Sequence, residues 1–325
     1  MEKKTVLVTG TGGNVGQGVL RNIRSLGRDI RIVGTDVSGF TAGNHLCDAT
    51  YAVPYSYDAA FIPAMAKIVR DEKVDLVIPT TDYEIYYLSR FKDQIDAVVV
   101  ASDADTAQKY LDKYLTYQYH ESLGIPFAKS WLPKDYDHSQ TDIILKPREG
   151  RGSRGILINP ANPTQFGDDC MIQPLHKGRE ITTAFYVKKD GSLHGLLTME
   201  RELSNGATSK SKVVREFDAA LEPILSKMIA AGGLRGSLNL QSIVDANGTI
   251  IPFEVNCRIS GTNSIRHNLG FQDVKYTLQE YLFDEQPDAV HTIDGIAIRL
   301  LYDVIYPNAT NEQTLTNNQQ GHIVY

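Results

Sequence analysis

The sequence predicts an α/β amino-terminal unit on a parallel sheet, joined to a carboxy-terminal α+β unit with antiparallel pairing. Three observations carry that prediction. The first hundred residues alternate short apolar strands with helix-spaced segments. After about Ser102, strand-like pieces come in neighbouring pairs. Two of these pairs meet at Asp190-Gly191 and Asn247-Gly248, dipeptides suited to tight hairpin turns.

In chain order, Thr5–Thr9 is a short apolar strand and Asn14–Leu26 has helical spacing. Ile30–Gly34 is a second strand that runs out at Asp36. Ala59–Arg70 is helical, Leu76–Pro79 strand-like, Glu84–Phe91 helical, and Ala97–Val100 reads as a third buried strand. One long helix, Asp105–Leu123, then leads to Gly124-Ile125-Pro126. Strand-like pieces follow at Ile143–Lys146, Gly155–Ile158, Met171–Gln173, Ile181–Lys188 and Ser192–Met199. A helix at Glu216–Ala231 precedes the hairpin of Ser237–Val244 and Thr249–Val255. The tail from Asp273 holds one more helix and a strand at Ile296–Leu301.

Composition narrows the function classes. The 325 residues suit two to three domains at roughly 100–200 residues each. A net charge of −6 argues against a nucleic-acid binder, which needs a basic face. No apolar run approaches the roughly 20 residues that span a bilayer. The start, MEKKTVLVTG, is too short in its apolar part for a secretory leader. Cys47, Cys170 and Cys257 are scattered, which suits a reducing cytoplasm and makes no metal or disulfide framework. The expectation is a cytoplasmic protein with no membrane or nucleic-acid partner.

Three patches carry chemistry. The first is Gly10-Thr11-Gly12-Gly13-Asn14-Val15-Gly16, between a strand and a helix, with Asp36 ending the next strand. It reads either as a dinucleotide site, with phosphate on the helix amides, or as a turn that needs glycine for close packing. The second is a glycine-rich, basic loop. Lys146-Pro147 closes a strand and Arg148-Glu149-Gly150-Arg151-Gly152-Ser153-Arg154-Gly155 follows before the next. Its amides and charge suit a lid over phosphates, and Lys146 is placed to reach a phosphate oxygen. The alternative is an exposed hairpin tip with surface arginines.

The third patch lies on the second hairpin. Glu254 and Asn256 alternate onto one face of a strand, and Gln241 can face them from the partner strand. These are hard oxygen ligands suited to magnesium, which keeps waters and substrate phosphates as its other ligands. Arg258 shares the face and could hold a phosphate. A solvated polar face is the competing reading.

Taken together and in this order, the pieces resemble the ATP-grasp superfamily, and within it one ATP-grasp unit of the carbamoyl-phosphate synthase large subunit. The resemblance implies a Rossmann-like pre-ATP-grasp domain over residues 1–103 and an ATP-grasp domain over 104–325. Of the latter, about 104–174 would form a small lid lobe and 175–325 a larger lobe. Asp112-Lys113 before Gly124-Ile125-Pro126 matches the family's Asp-Lys…Gly-Ile-Pro segment, so Lys113 would contact ATP phosphates. Lys146 matches the second nucleotide lysine, and Gly150, Gly152, Ser153 and Gly155 fall in the phosphate-covering loop.

By the same resemblance, the backbone around Gln173 and Leu175 would read adenine. Glu180 of Gly178-Arg179-Glu180 would hold the ribose. Gln241, Glu254 and Asn256 would be the magnesium triad, and Arg258 the arginine on the transferred phosphate. Two departures stand out: Pro174 replaces the usual Glu after the hinge Gln, and Cys257 replaces the proline of Glu-x-Asn-Pro-Arg. The short stretch from Gly155 to Met171 implies a reduced lid helix.

The implied activity is an ADP-forming ligase that uses ATP and Mg2+, with Mn2+ as a substitute. It would activate a small carboxylate as an acyl phosphate for attack by an amine or, second, a thiol. Competing classes are a catalytically silent ATP-binding module and an NAD(P)-binding Rossmann enzyme. A homodimer is the expected assembly for a soluble enzyme of this kind. Arg266, the Thr208–Lys212 stretch and Thr80-Thr81-Asp82 are candidates for the acceptor site, with ordinary surface roles as the alternative.

Overall fold

The computed structural model describes residues 3–150 and 154–325. Its amino-terminal part is one parallel sheet with strand order β3-β2-β1-β4-β5. The strands are β1 (Lys4–Thr9), β2 (Ile30–Asp36), β3 (Ala49–Ala52), β4 (Leu76–Ile78) and β5 (Val98–Val99). Helices α1 (Asn14–Ser25), α2 (Phe61–Asp71) and α3 (Asp82–Arg90) connect them. β1 is buried along nearly its whole length because helices cover both sheet faces. β5 departs from expectation. It is an edge strand of two residues, and Val98 is 46% exposed where a buried strand was predicted.

The predicted helix over Asp105–Leu123 is two helices, α4 (Ala104–Leu111) and α5 (Lys113–Ser122). Asp112 makes the break. Its backbone is extended, and its carboxylate accepts the amide hydrogens of Tyr114 and Leu115 at 2.8 and 3.2 Å. An acid that caps the new helix stabilises the interruption by about 1 kcal/mol, so apolar periodicity running across it does not reveal it.

Beyond α5, β6 (Ile143–Pro147), β7 (Leu157–Ile158) and β8 (Cys170–Pro174) form a small antiparallel sheet, order β7-β6-β8. Only a three-residue 3-10 turn, Pro163–Gln165, lies between β7 and β8, which fits the reduced lid helix. Trp131, Tyr136, Ile143, Leu145 and Ile172 form the core under this sheet.

The large antiparallel sheet follows, order β13-β12-β9-β10-β11-β14. It holds β9 (Arg179–Val187), β10 (Leu193–Ser204), β11 (Ala207–Val213), β12 (Gly236–Val244), β13 (Ile250–Asn256) and β14 (Ile296–Ile298). Helices α6 (Asp218–Ala230), α7 (Asn263–Asn268) and α8 (Asp273–Tyr281) accompany it, and β15 (Val304–Ile305) pairs with β16 (Ile323–Val324) near the end. The Thr208–Lys212 stretch, weighed as an acceptor loop, lies within β11, where Thr208 and Ser211 are buried and Lys210 meets Glu202.

The sheets share cores. Val274 and Leu278 of α8 and Ile259 join Val6, Val8, Val19 and Ile23 on one face of the parallel sheet. Ile85 and Tyr86 of α3 pack with Tyr110, Phe185, Leu238 and Leu240 against the large sheet. Gly18 of α1 lies so close to Asn263 that an added Cβ would sit 2.3 Å from its amide oxygen. Among the described residues no helix is long and apolar enough to cross a membrane.

Candidate active site

The carboxy-terminal ends of parallel strands are where α/β sheets place ligands. Here the end of β4 delivers Thr81, Asp82 and Tyr83 into a pocket. Tyr110, Leu111, Lys113, Gly150, Glu254, Val255 and Asn256 complete the lining. Residues from four separate segments therefore converge: Lys113, Gly150, Glu254 and Asn256 are expected site residues, and Thr81 and Asp82 belong to the Thr80-Thr81-Asp82 candidate for the acceptor site.

β12 and β13 set the face that carries the three expected metal ligands. Gln241 pairs with Glu254 and Asn239 with Asn256, followed by a bulge between Gln241 and Ser242. Gln241 Nε2 donates to Asn256 Oδ1 at 2.9 Å, and Asn256 Nδ2 donates to Glu254 Oε1 at 3.1 Å. The three predicted ligands thus form one hydrogen-bonded chain.

Two lysines face it. Lys146, on β6, is buried, with its ammonium 5.3 Å from the ring centre of Phe253. Burial pulls its pKa down to about 8, opposed by Glu254 and reinforced by Lys113. Burial on its own would raise the Glu254 pKa. Lys113, Lys146, the Asn256 amide and Arg258 outweigh it and hold Glu254 below the usual carboxylate range.

Lys113 opens α5, where the Asp112 cap orients it. Its ammonium donates to the Gly150 carbonyl at 3.1 Å and to that of Arg148 at 3.4 Å. The same Asp112 carboxylate grips the Arg148 guanidinium, with Nε at 3.0 Å. Both ends of the Asp112-Lys113 pair therefore fix the root of the glycine-rich loop. Gly155, at the far end of that loop, has φ +71°, a conformation that favours glycine. Gly152 and Ser153, expected on phosphate, lie outside the described residues, as does Arg151.

Arg258 does not stand free. Its Nε and Nη2 both donate to Asp82 Oδ2 at 2.9 Å, so an acid from the parallel sheet holds the arginine expected on phosphate. Glu180 is likewise engaged, accepting Nε of Arg201 at 2.9 Å, and the same guanidinium reaches Gln241 Oε1. Arg201 was missed in the sequence: it lies mid-strand in β10 among alternating charges, and only the pairing of β9 with β10 and β12 brings it between two predicted ligands.

The polar groups of the hinge strand are engaged within the protein. The Gln173 side chain is turned inward to Ser130 Oγ at 2.9 Å. The Leu175 amide, part of the backbone expected to read adenine, is given to the Asp142 carbonyl at 2.9 Å. Adenine reading through that amide requires this pairing to open. Gly178 precedes the Arg179-Glu180 pair because a Cβ there would lie 2.0 Å from the Val244 carbonyl.

Two further candidates resolve structurally. Arg266 is fully buried and paired with the equally buried Asp273, with Ser260 Oγ at 2.7 Å and Thr262 Oγ1 at 2.9 Å, so it does not face an acceptor. In the amino-terminal glycine turn, Gly12 donates its amide to Asp36 Oδ2 at 2.8 Å. A Cβ on Gly16 would sit 2.3 Å from the Gly10 carbonyl. An amide spent on a carboxylate, and a glycine required by packing, favour the packing reading over a dinucleotide site.

Magnesium is the metal the resemblance implies, and the donor set can be tested against it. Glu254, Gln241 and Asn256 offer only oxygen ligands of the type it prefers. Lys113, Lys146, Arg201 and Arg258 are four cations against the carboxylates of Glu254, Asp82 and Glu180. A bare divalent ion is disfavoured in that setting, whereas a metal brought in with a polyphosphate is matched by it. Among the described residues no group of three or more His, Cys, Asp or Glu could hold a metal alone.

Comparison with known proteins agrees with this architecture. A family profile described as the PylC-like N-terminal domain matches residues 6–101. No curated protein matches. Among solved structures, N5-carboxyaminoimidazole synthetase from Staphylococcus aureus, complexed with ADP, superposes with a TM-score of 0.74 at 14% identity, over 92% of this chain and 82% of that one. The biotin carboxylase domain of 2-oxoglutarate carboxylase from Hydrogenobacter thermophilus, a dimer with MgADP and bicarbonate, gives 0.70 at 14% identity, over 90% and 73%. L-amino acid ligase from Bacillus licheniformis gives 0.67 at 14% identity, over 87% and 75%. The chain has the fold of the ATP-grasp enzymes. Its amino-terminal sheet is the part that matches the PylC-like profile.

Proposed function

We propose that this chain is an ATP- and Mg2+-dependent ligase that activates a carboxylate as an acyl phosphate and passes the acyl group to an amine. The observation that carries the reading is the hydrogen-bonded chain Gln241–Asn256–Glu254, whose Glu254 and Asn256 line one pocket with Lys113 while Lys146 acts on Glu254 from beside it. The named activities of the structural neighbours, synthetase, carboxylase and amino acid ligase, support it.

In this reading Lys113 and Lys146 bind the phosphates, with Gly150, at the root of the loop held by Asp112 and Arg148, beside them. Magnesium, or manganese in its place, would be held by Gln241, Glu254 and Asn256 and would neutralise developing phosphate charge. Phosphoryl transfer asks little covalent work of the protein beyond positioning and charge balance. The carboxylate oxygen attacks the γ-phosphorus, ADP leaves, and Arg258 holds the transferred group. The adenine lies along β8 and the ribose near Glu180. Both need rearrangement from the contacts described, of Leu175 with Asp142 and of Glu180 with Arg201.

Sheet membership supports division into residues 1–103, 104–174 and 175–325. A homodimer is part of the proposal, with the short edge strand β14, whose Ile296 is 79% exposed, as its candidate contact. The cytoplasmic setting rests on the three free cysteines.

Hydroxylamine trapping tests the chemistry. With Mg-ATP and a pool of small carboxylates, the reading predicts a hydroxamate whose formation depends on ATP. ATP binding without hydroxamate from any pool would favour the silent nucleotide-binding module.

A further inference from the structure

The proposed chemistry leaves one acid without a task. Asp82 opens α3 at the end of β4 and lines the pocket beside Glu254 and Asn256. Its carboxylate holds Arg258 at 2.9 Å and accepts from Asn256 Nδ2 at 3.4 Å. The ligase reading needs Arg258 on the transferred phosphate, yet its Nε and Nη2 are on Asp82 and its Nη1 is on the Ile259 carbonyl, so a phosphate that takes the paired edge displaces Asp82. Once the phosphate takes Arg258, Asp82 is a carboxylate with no cation in a largely enclosed pocket, its side chain 20% exposed. A desolvated carboxylate in that position calls for a new cation.

The adjoining surface says what that cation is attached to. Tyr83 lines the same pocket. Tyr57 meets its ring edge-on at 6.3 Å, and Tyr55 stacks on Tyr57 at 5.3 Å. Tyr55 and Tyr57 are 51% and 61% exposed, too open for a core role. They sit after β3, and the sheet order puts β2 and β1 between β3 and β4, so this loop crosses two strand ends to reach Tyr83. Exposed aromatic rings leading out from a carboxylate suit a cation carried on an apolar or planar body.

We propose that Asp82 binds the ammonium group of the second substrate once phosphate has claimed Arg258, and that Tyr83, Tyr57 and Tyr55 receive the body of that amine. The inference rests on the ligase reading and orders the reaction, with nucleotide before amine. In the transfer step, the amine nitrogen bonds to the acyl carbon and the carbon–oxygen bond to phosphate breaks. Of the two protons the ammonium sheds, one leaves with inorganic phosphate and one goes to solvent. Asp82 is a positioning residue and takes no proton.

The test compares two nucleophiles on one acyl phosphate. Hydroxylamine is uncharged at neutral pH and needs no carboxylate, whereas an equimolar mixture of the common amino acids presents ammonium groups. For Asp82→Asn, the ratio of amide to hydroxamate product falls about tenfold or more, the effect of losing one charge-assisted hydrogen bond. Asp82→Glu recovers part of it, and Tyr57→Ala lowers the ratio most for amino acids with aromatic or large apolar side chains. A ratio unchanged in Asp82→Asn overturns the proposal while leaving the ligase reading intact. No hydroxamate from the wild-type protein with any carboxylate overturns both.

Discussion

At the residue scale the governing fact is that Lys146 is buried beside Glu254 and a second lysine. Its pKa of about 8 lies below the ordinary lysine value of 10.5. The native state therefore releases the Lys146 proton at lower pH than the unfolded chain does. This group's contribution to stability should rise with pH between about 8 and 10.5, and below 8 its full burial penalty remains. Triphosphate binding works in the opposite sense, since it favours the ammonium. ATP affinity should therefore weaken as pH rises through about 8, with proton uptake on binding above it. Calorimetry in buffers of different ionisation enthalpy would measure that uptake. Lys146→Arg, which stays charged, should abolish the alkaline fall. An unchanged alkaline fall in that variant would remove Lys146 from the phosphate site.

A second residue-scale prediction concerns Arg266 and Asp273, both fully buried and paired. Replacing Arg266 by Met leaves Asp273 uncompensated, and stability should drop by about 3–5 kcal/mol. Replacing both with apolar residues should cost far less. Denaturant unfolding of the single and double variants distinguishes a structural pair from an acceptor-binding arginine, whose loss would spare stability.

At the scale of elements, the Asp112 junction couples a helix cap to the glycine-rich loop. Asp112→Ala removes the cap of α5, worth about 1 kcal/mol, and frees Arg148 as well. Tm should fall modestly while ATP affinity falls more, because Lys113 and the loop root lose their shared anchor. Asp112→Asn, which can still cap, should restore much of the Tm and less of the affinity. If Tm and affinity move in proportion in both variants, the junction is only a cap.

The junction also shows what the sequence could and could not reveal. Alternation of apolar strands and helix-spaced segments was enough for the parallel sheet, and the Asp-Gly and Asn-Gly turns located both hairpins. The break at Asp112 was hidden because apolar spacing continues through it. β3 and β11 were missed as well. The first is only four residues long, and the second, ATSKSKV, is polar enough to pass for a loop until it pairs with β10. That Gln241, Glu254 and Asn256 come together was legible because strand alternation aligns Glu254 with Asn256 and the hairpin brings Gln241 opposite them. The Arg258–Asp82 pair was not, since it joins sheets far apart in the chain, and the Arg201–Glu180 pair was not because it falls just beyond the predicted ends of the β9–β10 hairpin.

At the scale of the molecule, the site is made where the parallel sheet, the small sheet and the large sheet meet. Ligand should therefore stabilise the chain as a whole. Saturating Mg-ATP at about a hundred times its Kd should add roughly 2.7 kcal/mol to unfolding. NADH and NADPH should add nothing, because the amino-terminal glycine turn spends the Gly12 amide on Asp36. Magnesium without nucleotide should also add little, given the cations that crowd the ligand face.

The measurement closest to the central claim is ADP release from Mg-ATP with pooled carboxylates and amines, run beside Glu254→Gln. The ligase reading predicts release that depends on the added substrates and falls by orders of magnitude in the variant, while the variant keeps its fold. Substrate-dependent release that survives Glu254→Gln would contradict the assigned metal and phosphate site, and protection by NADH or NADPH in place of ATP would contradict the reading as a whole.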